Sequence, residues 1–189
     1  LRARVYESVV PGIARALAAA RCLRSSSAEQ LRQTYEMSLL VLFRLLFVAY
    51  AEDKDLLPLQ RSSAYRSHSL KEIARRLQSA VAGQAPLSDQ DFYWNEVNQL
   101  WKAVDRGNRT WAVPPYDGGL FRVDDDAPAA SRARVGLSIP DQAFAPPLAA
   151  LLLDRTEEGE LGPIDFRSLG VREFGTIYEG LLESELSVA

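Results

Sequence analysis

The sequence predicts a mainly α fold: an irregular helical bundle around a long central helix, with a Pro/Gly-rich loop region and at most short β-strands. Three observations carry the prediction. Between Met37 and Tyr50 every residue except Ser38 and Arg44 is apolar, too wide a stripe for a helix lying on a surface. Flanking stretches repeat apolar residues at helical spacing. Residues 108–138 show no period, and gather Pro114, Pro115, Gly118, Gly119, Asp124-Asp125-Asp126 and an Ala/Pro/Ser stretch.

In chain order, Pro11-Gly12 punctuates the N-terminus, and Ile13, Leu17, Ala20 and Leu23 follow at helical spacing. Ser25-Ser26-Ser27 breaks that pattern. Ser27 with Gln30 reads as a capping box, each side chain satisfying the other's backbone N–H. The central helix runs from there to about Lys54 and ends at Leu56-Leu57-Pro58. Leu70, Ile73, Ala74, Leu77 and Val81 mark an amphipathic helix closed by Gly83. Ser88 with Asp91 can cap another, carrying Phe92, Val97, Leu100, Trp101 and Val104 and stopped by Asp105-Arg106-Gly107-Asn108. Ile139-Pro140-Asp141 opens a short helix that Pro146-Pro147 should bend. Ile164-Asp165-Phe166 suits a short strand. A last helix from about Val171 puts Phe174, Ile177, Tyr178, Leu181 and Leu182 on one face. Gly175 and Gly180 inside it cost about 1 kcal/mol each against Ala, which points to another backbone packed close.

The length of 189 residues fits a single domain able to bury a real core. One cysteine, Cys22, excludes an internal disulfide and suggests a reducing cytoplasm. Cys22 and His68 alone cannot make a zinc site of the usual kind. No secretory signal is visible, and the apolar run, short and interrupted by Arg44, does not read as a membrane span. The chain opens without Met and closes on Leu-Ser-Val-Ala, so it is expected to be a piece of something longer. The net charge of −3 divides unevenly. Residues 1–82 hold 13 Lys/Arg against 7 Asp/Glu, and residues 83–189 hold 9 against 18. A basic half joined to an acidic half fits one end facing an anionic partner, and equally fits ordinary variation among helix surfaces.

Arg44 needs a partner, because an unpaired buried charge is very costly. Glu52 and Asp53 lie two turns away, so a carboxylate from another segment is expected, in a structural ion pair. Arg61, Arg66, Lys71, Arg75 and Arg76 form a basic patch that suits DNA phosphates or a solvated helix face. Asp124-Asp125-Asp126 reads as a solvated loop rather than a metal site, since neighbours on an extended chain point apart. Ser67-His68-Ser69 lacks the geometry and oxyanion signature of a hydrolase, and no phosphate-cradling glycine loop is present. Val113-Pro114-Pro115-Tyr116 has the Pro-Pro-Tyr of loops that methylate a base amine, but Val113 offers no acceptor for that amine.

Three stretches carry a resemblance. They are Phe43-Arg-Leu-Leu-Phe-Val-Ala-Tyr-Ala-Glu-Asp53 followed by Leu56-Leu57-Pro58, then Pro115-Tyr-Asp-Gly-Gly-Leu-Phe121, then Leu169-Gly-Val-Arg-Glu-Phe-Gly-Thr-Ile-Tyr-Glu-Gly-Leu-Leu-Glu183. Their order and spacing resemble the helical region ahead of the methyltransferase domain in type IIG restriction-modification enzymes and in PglX-like phage-defence N6-adenine DNA methyltransferases. The resemblance implies a longer parent that uses S-adenosylmethionine, its catalytic and cofactor motifs beyond Ala189, with any nuclease ahead of Leu1. It implies no catalytic, cofactor or metal residue in this chain. Arg44, Tyr50, Glu52, Asp53, Tyr116, Gly118, Gly119, Tyr178 and Glu179 would be structural members of the family motifs. The implied work is that of a connector between methyltransferase and nuclease domains, with DNA as the parent's partner. The competing expectation is an all-helical protein-interaction module using the Tyr178 face.

Overall fold

Long helices dominate the computed structural model, which describes residues 2–23, 27–84, 86–116, 118–155 and 159–186, without the side chains of 171, 178 and 181–186. The fold is mainly α, with one small two-stranded sheet among the described residues.

The chain begins with a turn of α1 (Arg2–Arg4), a π-helical segment (Val5–Val9) and α2 (Val10–Ala20), which follow one another without a break. Pro11-Gly12 therefore does not interrupt the helix. Pro11 lies in the first turn of α2, where the π segment hands over and the Val10 N–H bonds to the Val5 carbonyl. A missing N–H is cheapest at such a position. Gly12 has a packing reason: a Cβ there would lie 2.8 Å from the Cβ of Pro147.

The central helix α3 (Ala28–Asp53) starts at the expected capping box, with the Ser27 hydroxyl and the Gln30 amide each accepting the other's backbone N–H. By length and apolar content it could cross a membrane, longer than the apolar run suggested, yet 61% of its most apolar window is buried within the protein. It packs against α2, α5 (Leu70–Ala82) and α7 (Ala129–Ala133). A short α4 (Ser63–Arg66) precedes α5.

The α5 N-terminus is closed by two side chains. The Ser69 hydroxyl accepts from the Glu72 N–H (3.1 Å), and the Glu52 carboxylate accepts from those of Leu70 (2.8 Å) and Lys71 (3.0 Å). Helix ends need such acceptors because their first N–H groups have no partner within the helix. Val81, expected on the buried face, is exposed.

The next helix, α6 (Phe92–Arg106), is capped from a distance. The Asp141 carboxylate accepts from the Tyr93 N–H (2.9 Å) and the Ser88 hydroxyl (3.1 Å). The local cap expected from Ser88 and Asp91 is thus replaced by one across 48 residues. Tyr93 and Trp94 are buried and Phe92 is exposed, so the start of the apolar face is shifted by one position. Gly107 ends the helix at φ +78° and ψ 160°, a region essentially confined to glycine. The chain then closes a tight turn, with Asn108 and Val113 exchanging backbone hydrogen bonds.

Asp141–Leu152 forms α8, a helix that continues through Pro146 and Pro147. It lies against α2, α5 and α6. The strands are β1 (Leu153–Arg155) and β2 (Leu161–Pro163), paired antiparallel with Leu153 opposite Pro163. The expected strand at 164–166 therefore falls just before those residues. Last, α9 (Val171–Leu186) buries Ile177 and sets Phe174 edge-on to Tyr50, 6.2 Å between ring centres. Its glycines do not meet another backbone: Gly175 faces open space, and a Cβ at Gly180 would strike the Tyr6 phenol.

Candidate functional site

Arg44 is fully buried, as the sequence requires, but its partners are not carboxylates. Its guanidinium donates to the Leu120 carbonyl (2.8 Å), the Arg122 carbonyl (3.2 Å) and the Ser131 hydroxyl (2.6 Å). It also lies over the rings of Trp101 (5.6 Å) and Phe121 (5.7 Å). Carbonyl dipoles and aromatic faces stabilise the cation without burying a second charge. The expected ion pair is therefore corrected to a cation held by backbone.

The three stretches that carry the resemblance supply much of this joint and its neighbours. Phe47 meets Phe121 edge-on at 5.3 Å. The Tyr116 hydroxyl donates to the Leu56 carbonyl, and the Tyr116 N–H to that of Val104. Glu52 closes α5 and also accepts the Tyr65 hydroxyl (2.7 Å). Asp53 accepts from the Lys71 ammonium (2.8 Å) and the Phe166 N–H (2.7 Å). The Lys54 ammonium lies over the Tyr50 ring, 5.8 Å from its centre. Gly118 accepts the Phe121 N–H at 3.1 Å, whereas Gly119 faces open space. Glu179 is exposed on α9. Tyr178, the face proposed for a protein partner, lies outside the described side chains.

Beside the joint is a cleft of about 510 Å³ between α6 and residues 121–138. Its wall includes Arg44 and Arg134, both buried. Arg134 lies over Trp101 (5.0 Å) and Trp94 (5.7 Å), and donates to the Asn98 side-chain oxygen. Lys102 and Arg106 also line the cleft, against Asp91 and Asp105. Asp105 is 3.8 Å from Arg106, and Asp91 accepts from Ser138 and Asn95. Burial pulls the Arg44 pKa down to about 9, with the Arg134 charge adding to the fall and Asp105 opposing it. Burial likewise lowers Arg134 to about 10. Both remain cations at neutral pH.

The basic patch is partly neutralised from within. Lys71 pairs with Asp53. Arg75 and Arg76 share Glu72, and Arg76 also reaches Glu96 at 3.5 Å. Arg66 donates to the carbonyls of Leu59 and Gln60. Arg61 is exposed and, among the described residues, has no carboxylate within ion-pair distance. The two unequally charged halves also bind each other, through Arg4 with Asp154 and Arg76 with Glu96.

The remaining constellations take structural roles. The Ser67 hydroxyl donates to the Ala64 carbonyl, and that of Ser69 caps α5. His68 stacks on Trp111 at 4.5 Å, its Nδ1 3.6 Å from Glu96. Val113 is buried at the base of the turn. Asp124, Asp125 and Asp126 are exposed, with Arg122 bound to Asp124 and Asp126. No grouping of three or more potential metal ligands occurs among the described residues.

Sequence reasoning missed Arg134, Ser131, Asn98 and Lys102. A signal existed: Trp94, Asn98, Trp101 and Asp105 follow one face of α6, and polar residues there interrupt a tryptophan stripe. Comparison with protein-family models, curated proteins and solved structures returned no match.

Proposed function

We propose that the chain is a non-catalytic helical connector of a cytoplasmic DNA-modifying enzyme. The parent would be an S-adenosylmethionine-dependent N6-adenine DNA methyltransferase of the restriction-modification or phage-defence kind, with or without a fused nuclease. One observation carries the reading: the residues behind the resemblance act as joints between distant segments. Arg44 holds Leu120 and Arg122, Tyr116 holds Leu56, and Asp53 holds Lys71 and Phe166. A segment whose task is to brace its neighbours needs such cross-links more than it needs exposed reactive groups. DNA contact, where the parent makes it, falls to Arg61 and its neighbours on the basic patch and is directed at phosphates.

The test is on the full-length gene product. The sequence after Ala189 is expected to contain Asn-Pro-Pro-Tyr or Asn-Pro-Pro-Phe, and the encoded protein to transfer a methyl group to adenine N6 in duplex DNA. Calorimetry of the isolated chain should give no S-adenosylmethionine binding. A parent without that motif or activity, or micromolar cofactor binding by this chain, overturns the reading.

A further inference from the structure

The N-terminal helix and α9 meet at a contact that the connector reading does not use. The Tyr6 hydroxyl donates to the Ile177 carbonyl (2.9 Å) and, at 3.4 Å, to that of Thr176. A helix carbonyl keeps a second lone pair for such a donor. Reaching it requires a side chain to come against the helix backbone, and Gly180 leaves that room. A Cβ there would strike the Tyr6 hydroxyl and lie 2.9 Å from the ring carbon that bears it. The phenol therefore sits in a notch that only glycine provides.

The two sides of this contact are not equally fixed. Tyr6 belongs to the π-helical segment Val5–Val9, a geometry that is uncommon and recurs at functional sites. Val5 and Val9 are fully buried, and Arg4 is tied to the Leu153 carbonyl (2.6 Å) and the Asp154 carboxylate. On the other side, α9 carries Gly175 and Gly180 in its interior, each lowering the weight of the helix roughly fivefold against Ala. A helix of its 16 residues is marginal alone even when built from better formers. Its order therefore depends on docking. The chain just before it is pinned to the end of α3. Phe166 and Leu169 are buried, the Phe166 N–H donates to the Asp53 carboxylate (2.7 Å), and the Arg167 guanidinium donates to the Asp53 carbonyl (2.9 Å). Gly170, the residue type with the freest backbone, separates that anchor from Val171.

We infer that α9 is a docked arm that leaves and rejoins the protein as a unit, pivoting at Gly170, with the Tyr6 phenol in the Gly180 notch as its latch. The buried Ile177 side chain and Phe174, edge-on to Tyr50 at 6.2 Å, supply the apolar part of the seat. Elements ordered mainly by docking open at the low end of a protein's local stabilities, and moving parts are drawn from them. The hydroxyl adds register: it meets the two carbonyls only when α9 is seated at one height and one rotation. The glycine that weakens the helix is also the one that lets it be fastened, so order and attachment are coupled at a single residue. The proposal goes beyond the connector reading and does not depend on it.

Hydrogen exchange of the intact chain, read by mass spectrometry, follows α9 and α3 separately. In the wild type α9 should exchange at least roughly tenfold faster than α3. Tyr6→Phe should speed α9 about 2- to 10-fold, from loss of one hydrogen bond, and leave α3 unchanged. Gly175→Ala, facing open space, should slow α9 about fivefold. Gly180→Ala raises helix propensity by the same factor but evicts the phenol. It should therefore speed α9 when Tyr6 is present and slow it about fivefold in a Tyr6→Ala background. The α3 rate checks that each variant is folded, and Tyr6→Phe, which keeps the ring, carries the test if Tyr6→Ala does not fold. Equal exchange in α9 and α3 would mean that α9 opens only with the whole fold, and overturns the arm. No effect of Tyr6→Phe, or the same slowing from Gly180→Ala as from Gly175→Ala with Tyr6 in place, overturns the latch.

Discussion

Glu52→Gln tests how the central helix is tied to α5. Glu52 is buried to 1% exposure, with Leu70 N–H, Lys71 N–H and the Tyr65 hydroxyl all donating to its carboxylate. Two effects oppose one another. The donors and the nearby Lys71 charge favour the ionised form, and loss of water favours the neutral one. Burial is the larger, and the Glu52 pKa rises to about 7. The folded protein then holds the proton more tightly than the unfolded chain does. This contribution to stability is full below the ordinary glutamate value near 4.5 and is lost as pH rises through 7. A rise of that size corresponds to about 3 kcal/mol across the window.

Glutamine does not titrate and keeps one acceptor oxygen, but it turns an NH₂ group toward one of the backbone donors. Urea denaturation of both proteins at pH 4.5, 6 and 8 gives the difference directly, because carboxylates common to both cancel. Wild type should exceed Glu52→Gln most at pH 4.5, and the gap should shrink by about 3 kcal/mol by pH 8. A gap that does not vary with pH, or that widens as pH rises, would refute the balance in favour of burial. The widening case would mean that the three donors outweigh desolvation.

The other predictions concern the joints and the patch. Arg44→Met should destabilise the fold by about 2 kcal/mol, since the Leu120 carbonyl loses its donor; an unchanged or raised melting temperature would show that the cation is dispensable. Gly107→Ala should cost about 1–3 kcal/mol because of its backbone conformation, made worse by a Cβ 2.9 Å from the Pro115 nitrogen. Gly119→Ala, facing open space, should be nearly silent in the same denaturation assay. In the full-length protein, charge reversal at Arg75 and Arg76 should weaken DNA binding alike at every sequence and flatten its salt dependence. Unchanged affinity across a salt titration would leave the patch a solvated face whose charges serve Glu72 and Glu96.

Most helices were legible because their causes are local. The Ser27–Gln30 capping box and the Leu70, Ile73, Ala74 and Leu77 face need only neighbours three and four residues away. The errors arose where the cause is distant. Asp141 caps α6 from 48 residues along the chain, and nothing around Ser88 or Asp91 encodes that. Pro11 read as a stop, yet the π-helical turn before it carries the helix through. Pro146 and Pro147 lie inside α8, which continues through them packed against α2, α5 and α6, with Pro147 filling the space opposite Gly12. Tertiary contact can override a local breaker of this kind, and single-sequence patterns do not contain it.

Arg44 marks the limit of such reading. Its position in an apolar run required burial and a partner, and both exist. The partner's type did not follow, because a buried cation can be met by a carboxylate, by carbonyls or by aromatic faces, and only the fold selects among them. Here the selection falls on residues 120–122, in the irregular region that offers least periodicity. The same stretch lacks helix or strand to use its own carbonyls, so they remain available to the guanidinium. Irregular backbone and buried cation therefore satisfy one another. That exchange also leaves Arg44 over the Trp101 ring that Arg134 shares, so the residue that fastens the loop also lines the cleft.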